Sequence, residues 1–207
     1  QKKKLKYRIK IKEIKSNFSS KDLSGDKIPI YNVEYSQKKP FEKISDKSNK
    51  YIFRCFDIAT KLIQSKKIIG IINCPVSKEF LFKNKYGGVT EFLSKKAGVE
   101  GKEVMLIYNK KLSTSPLTTH IPLSQVSNKI SKSKIVKKIK TICNFYKRNF
   151  NKNPNIAVLG LNPHNFTATK KSEEKEIIFP AIKNIKKSRI KVIGPISPDT
   201  SFMLFKR

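Results

Sequence analysis

Acidic residues, cysteines, arginines and histidines are all scarce in this chain of 207 residues. Against 46 Lys and Arg it carries only 15 Asp and Glu, a formal charge of +31. No apolar run approaches the roughly 20 residues of a membrane-spanning helix, so a bilayer span is not expected. Gln1-Lys2-Lys3-Lys4 is followed by no apolar stretch, which argues against a signal peptide. No initiator Met is present, and the chain stops soon after an expected strand, so truncation at both ends is expected. Cys55, Cys74 and Cys143 are odd in number, widely spaced and contain no CxxC pair. That usage points to a reduced, cytoplasmic setting, with the thiols buried as small hydrophobes.

The charge excess invites a nucleic-acid reading, because clustered lysines neutralise phosphates. The arginine shortage weighs against it. Arg8, Arg54, Arg148, Arg189 and Arg207 are the five arginines, and Arg is the better reader of base edges. The lysines are scattered through the chain, and Lys, Ile and Asn, all with AT-rich codons, are abundant together. Compositional drift therefore explains the charge better than a nucleic-acid partner does. The field still steers acidic or phosphorylated ligands toward the protein.

What is present is a globular pattern: 38% hydrophobic residues, with 13 Phe and 7 Tyr. Lys6–Ile14 alternates apolar and basic residues, as a half-buried strand does, and Ile28–Tyr35 reads as a second extended piece. Ile52, Phe56, Ala59 and Ile63 recur on one helical face within Asn49–Ser65. Ile68–Cys74 is a continuous apolar run, suited to a parallel strand buried on both faces. Short helices are expected at Glu79–Phe82 and Glu91–Lys96, and strands at Val104–Tyr108 and Leu112–Thr119. Ser131–Phe150 reads as an amphipathic helix and Asn155–Leu161 as a strand. Ser172 reads as a helix cap, with Glu173 and Glu174 favouring the positive helix end. Pro180 costs that helix stability unless it bends there. Lys191–Ile196 closes the series as a strand. Strands alternating with helices predict an α/β fold with a mostly parallel sheet.

The two histidines, His120 and His164, each follow a short apolar or β-prone run. Carboxyl ends of strands are where open α/β sheets bind ligands, and a neutral imidazole there suits a divalent transition metal. Two imidazoles do not complete a catalytic site, which commonly has three protein ligands. Taken alone, a histidine at a strand end is more often a hydrogen-bonded structural residue.

The flanking motifs carry more. Gly160-Leu161-Asn162-Pro163-His164 is followed by Glu173-Glu174, Ile178, Pro180-Ala181, Gly194-Pro195 and Asp199-Thr200. Upstream stand Thr118-Thr119-His120-Ile121-Pro122-Leu123, Gly88-Val89-Thr90-Glu91-Phe92-Leu93 and Cys74-Pro75-Val76-Ser77-Lys78. In order and approximate spacing, from about Ile68 to Phe202, this series resembles the 4-hydroxythreonine-4-phosphate dehydrogenase family of vitamin B6 biosynthesis.

The resemblance implies a three-layer α/β/α fold like that of isocitrate or isopropylmalate dehydrogenase, in two domains. Residues 1–86 would form part of the first domain, and 87–207 the second, carrying the metal ligands. It implies a homodimer with a divalent metal (Zn, Mg, Mn or Co) shared at its boundary. His120 and His164 match two histidine ligands, and the third lies outside this chain. It implies NAD as cofactor, with oxidation and decarboxylation of 4-phosphooxy-L-threonine to 3-amino-2-oxopropyl phosphate. Thr90 matches a substrate-contacting threonine. Lys78 is a candidate contact to substrate or cofactor, beside its reading as a solvated surface lysine. Asp199 is a candidate for the shell around the metal ligands, beside its reading as a turn aspartate.

Two departures stand out. Val89 occupies the place of a family histidine, so a donor to substrate is lost or replaced. Asn165-Phe166-Thr167-Ala168-Thr169 replaces a glycine-rich stretch that would let a cofactor approach the backbone. They keep open a related dehydrogenase of a phosphorylated sugar acid (erythronate or threonate phosphate) and an inactive copy, while the lysine excess keeps open a charge-driven nucleic-acid binder.

Overall fold

The computed structural model describes residues 6–39, 41–165 and 171–206. The departure at Phe166–Thr169 lies outside the described residues. The chain divides into two compact units, Gln1–Leu93 and Ser94–Arg207.

In the first unit, β1 (Ile11–Ile14) pairs in parallel with β2 (Ile28–Tyr31), Ile11 lying opposite Ile28. Three helices follow: α1 (Asn49–Gln64), α2 (Lys78–Phe82) and α3 (Val89–Lys96). Their core gathers Phe56, Leu81 and Phe82, with Ile52, Phe53, Tyr86, Val89, Phe92 and Leu93 packed around them. The Phe92 ring is its hub, with centroids 5.5 Å from Phe53, 5.4 Å from Phe56, 5.5 Å from Phe82 and 5.4 Å from Tyr86. Tilted and edge-on rings at this spacing add attraction beyond area burial. Val89, Phe92 and Leu93 of α3 pack into this cluster.

The buried parallel strand expected at Ile68–Cys74 is not formed. Ile69 and Ile72 are fully exposed, and Cys74 is exposed. A strand exists only where a neighbour completes its ladder, and no described residue pairs with this run. The strands expected at Val104–Tyr108 and Leu112–Thr119 contract to one antiparallel bridge between Ile107 and Thr114. Asn109 turns the chain between them, its Oδ1 accepting from the Lys111 N–H at 2.9 Å.

The second unit adds α4 (Val126–Lys129), α5 (Lys132–Phe150), β3 (Ile156–Leu159), α6 (Phe179–Lys186) and β4 (Val192–Ile196). Strands β3 and β4 are parallel, with Ile156 opposite Val192 and Leu159 opposite Ile196. The crossover through α6 makes this a β-α-β element of an α/β fold. Ile135 and Ile139 of α5, Ala181, Ile182 and Ile185 of α6, Ile178 and Val192 form one buried core. Ser131 caps α5 by accepting from the Lys134 N–H at 3.3 Å. Asn151 ends the helix in the left-handed region, at φ 50°. Pro180 is absorbed by a π-turn over Glu174–Ile178, in which the Phe179 N–H donates back to the Glu174 carbonyl. The proline then sits in the first turn of α6, where a missing N–H costs little. Among the described residues no helix is long and apolar enough to cross a membrane.

Ile182, 1% exposed, is the test of this packing. Ile182→Ala is expected to lower unfolding free energy by about 2–5 kcal/mol. Ile69→Ala, at a fully exposed position, should change it by less than about 0.5 kcal/mol. Urea denaturation followed by circular dichroism measures both.

Candidate metal and substrate site

The turn that leaves β3 is built on glycine. A Cβ at Gly160 would overlap the Asn165 Oδ1, so only glycine fits. The Gly160 N–H donates to the Ile196 carbonyl at 2.9 Å, and Asn165 Nδ2 donates to the Pro195 carbonyl at 3.0 Å. Both bonds tie the turn to the carboxyl end of β4.

Glu174 locks the same turn from the helix side. Its Oε1 accepts from the Leu161 and Asn162 N–H groups, each at 2.9 Å. Asn162 Nδ2 reaches both carboxylate oxygens at 3.1 Å. Glu174 is 3% exposed. Burial by itself pushes the carboxyl pKa up, but the donors, led by the Asn162 N–H, outweigh it and hold the pKa below its ordinary value. From sequence the residue was a helix-dipole acid; the structure makes it the clamp on the turn that leads to His164. Its partners stand a dozen residues away, and no local pattern announces them. Ser172 does cap, accepting from the Lys175 N–H at 3.3 Å.

His164 stands at the end of this turn with 79% of its side chain exposed. Its Nδ1 lies 2.8 Å from Asp199 Oδ2, the distance at which a ring N–H donates to a carboxylate. Asp199 follows β4, so the pair sits beyond the carboxyl ends of two parallel strands. A carboxylate on one ring nitrogen fixes the tautomer and leaves the other nitrogen as a lone-pair donor. His120 is also exposed, in the left-handed region at φ 55°. It does not follow a regular strand: the nearest pairing before it among the described residues is the isolated bridge that ends at Thr114. Among the described residues no group of three or more His, Cys, Asp and Glu is placed to hold a metal ion. Two imidazoles, one braced by a carboxylate, have the donor chemistry of a divalent transition-metal site but are short of a full ligand set.

The remaining candidates belong to the first unit. Val89 opens α3 and packs in the Phe56 and Phe82 cluster, so this position is given to packing. Thr90, next on the same turn, is exposed. Lys78 opens α2, and its ammonium lies over Gly88: a Cβ there would be 3.4 Å from Lys78 Nζ and 3.2 Å from Glu91 Oε2. A Cβ at 88 would crowd the Glu91 carboxylate and touch the Lys78 ammonium, so both charged groups lie close over the start of α3.

The clamp gives a pH signature. A carboxylate whose folded pKa is depressed contributes stability that is present above its unfolded value, about 4.3, and lost as pH falls through the folded one. Glu174→Gln should cost about 1–3 kcal/mol at pH 7, because donors lose a charged acceptor. It should also flatten the loss of stability on acidification. Denaturation of both proteins between pH 3 and 7 reads this, and an unchanged slope would refute a charged clamp.

The whole chain, residues 1–207, matches the family model described as pyridoxal phosphate biosynthetic protein PdxA. It is 34% identical over 202 residues to a 4-hydroxythreonine-4-phosphate dehydrogenase of Sulfurihydrogenibium sp. (strain YO3AOP1), covering 96% of this chain and 61% of that relative. The enzyme of the same name from Aquifex aeolicus (strain VF5) is 42% identical over 139 residues, or 66% of this chain and 43% of that one. The crystal structure of the Klebsiella pneumoniae 4-hydroxythreonine-4-phosphate dehydrogenase superposes with a TM-score of 0.81 at 28% identity, covering 96% of this chain and 62% of that one. The chain thus spans about three fifths of the length of the first of these relatives and of the solved structure. The family match and the shared α/β architecture place this chain in the family of the pyridoxal phosphate biosynthetic protein PdxA.

Proposed function

We propose that the protein containing this chain is an NAD-dependent, divalent-metal-requiring dehydrogenase. Its substrate is 4-phosphooxy-L-threonine, which it oxidises and decarboxylates to 3-amino-2-oxopropyl phosphate, for pyridoxal phosphate synthesis in the cytoplasm. The observation that carries the reading is the His164–Asp199 pair, 2.8 Å apart beyond the carboxyl ends of β3 and β4. The names of the relatives support the same activity.

His120 and His164 would hold the cation, with the third ligand from outside this chain, in a homodimer that shares the site. When bound, a divalent cation would supply Lewis acidity for the oxidation and the decarboxylation. The chain's own groups do the positioning. Asp199 holds the His164 ring, so the free nitrogen keeps a fixed direction. Thr90, exposed on the first turn of α3, offers its hydroxyl to the substrate. Lys78 places an ammonium beside that turn, and the net positive charge speeds the approach of a phosphorylated ligand. Val89 brings no hydrogen-bond donor, an observation that favours a second substrate class, phosphorylated sugar acids such as erythronate or threonate phosphate. NADH formation by the full-length enzyme against both classes separates the two.

His120→Ala and His164→Ala should each abolish NADH formation in the full-length protein while the far-ultraviolet spectrum is kept; full activity in both overturns the reading. Asp199→Asn should weaken metal binding about 10–100-fold, the usual effect of losing a carboxylate behind a ligand histidine. Equilibrium dialysis with zinc or cobalt reads that loss.

A further inference from the structure

A second set of polar side chains in the Ser94–Arg207 unit takes no part in the site above. Glu103, Thr118, Thr119, Lys129, Lys134 and Lys138 line a cleft of about 220 Å³. Lys134 and Lys138 are half-buried, one helical turn apart on α5. Lysine is rarely buried without a partner, and like charges at i and i+4 repel. Lys134 Nζ donates to the Lys129 carbonyl and Lys138 Nζ to the Pro116 carbonyl, each at 3.1 Å. An ammonium has three donors, so each keeps two for another acceptor. Burial, and then the Lys134 charge, hold the Lys138 pKa below its ordinary value, with Glu103 opposing. Glu103 Oε2 is buried with no hydrogen-bond partner. The cleft therefore holds spare cationic donors and one acceptor that lacks a donor.

We propose that this cleft binds a small phosphate monoester bearing a free hydroxyl. Lys129, Lys134 and Lys138 hold the phosphate, and Glu103 accepts from the hydroxyl. Three ammonium groups against one carboxylate leave two positive charges, matching a phosphate monoester of about −1.5 to −2 at neutral pH. Thr118 and Thr119 add hydroxyl donors. The volume lies below the roughly 300–1,000 Å³ of pockets for larger ligands, which favours a compact ester. None of these residues is a metal ligand, so the inference does not rest on the proposed dehydrogenase activity.

Isothermal titration of the full-length protein with glycerol 3-phosphate and with inorganic phosphate tests it. Glycerol 3-phosphate should bind at least about tenfold tighter, the effect of one hydrogen bond to a charged acceptor. Lys134→Gln with Lys138→Gln should weaken it at least about tenfold, as lost charge-assisted bonds do. Lys137→Gln with Lys140→Gln removes the same charge from exposed positions of α5 and should shift affinity less than about twofold. Glu103→Leu, which removes the acceptor, should erase the preference for the ester; if affinity for both ligands rises together, charge alone is at work and the proposal fails. Equal affinity for the two ligands, or equal losses in the two double variants, also overturns it. Amide shift mapping on the unmutated protein guards against a variant that does not fold: shifts at Glu103, Thr118 and Thr119 support the site, and shifts confined elsewhere refute it.

Discussion

Glu174 sets both carboxylate oxygens against the turn that leaves β3, and the placement of His164 depends on that contact. A buried carboxylate is costly unless its oxygens are filled. Here two backbone N–H groups and the Asn162 amide fill them. The exchange works both ways, because the turn's donors would otherwise lack partners inside the unit. The same residue opens the π-turn that carries the chain past Pro180 into α6. One side chain thus couples the crossover helix, the end of β3 and the turn that presents His164.

Around that clamp the construction uses close backbone approach. Gly160 admits the Asn165 side chain, and Gly194, at φ 128°, admits the Val158 carbonyl where a Cβ would collide. These two glycines bring β3 and β4 together at their carboxyl ends, where His164 and Asp199 meet. In the first unit the equivalent work is done by aromatic packing. Phe92 gathers four rings and seats α3, so that Thr90 is offered outward while Val89 is turned to the core.

The helices were readable because their signals are local. The period of Ile52, Phe56, Ala59 and Ile63 marks α1, and Ser131 marks the start of α5. Strands β3 and β4 were readable as short apolar runs next to glycine or lysine. The run Ile68–Cys74 has the same signal and forms no strand among the described residues, since a ladder needs a partner that composition cannot supply. Likewise only one bridge survives between Ile107 and Thr114. Of the site, the motifs pointed to His120, His164, Thr90, Lys78 and Asp199. They did not show that Asp199 meets His164, that Lys78 closes over Gly88, or that Glu174 holds the turn.

The sequence by itself determined the α/β class, the parallel pairing implied by helices between strands, and the family to which its ordered motifs belong. Each of these follows from short-range periodicity or from residues in fixed order. Only the tertiary structure decided which polar groups face each other. The His164–Asp199 pair, the Glu174 clamp and the unpartnered Glu103 beside Lys138 join residues far apart in the chain. Their chemistry depends on burial and on distances of about 3 Å, and those exist only once the strands and helices have packed.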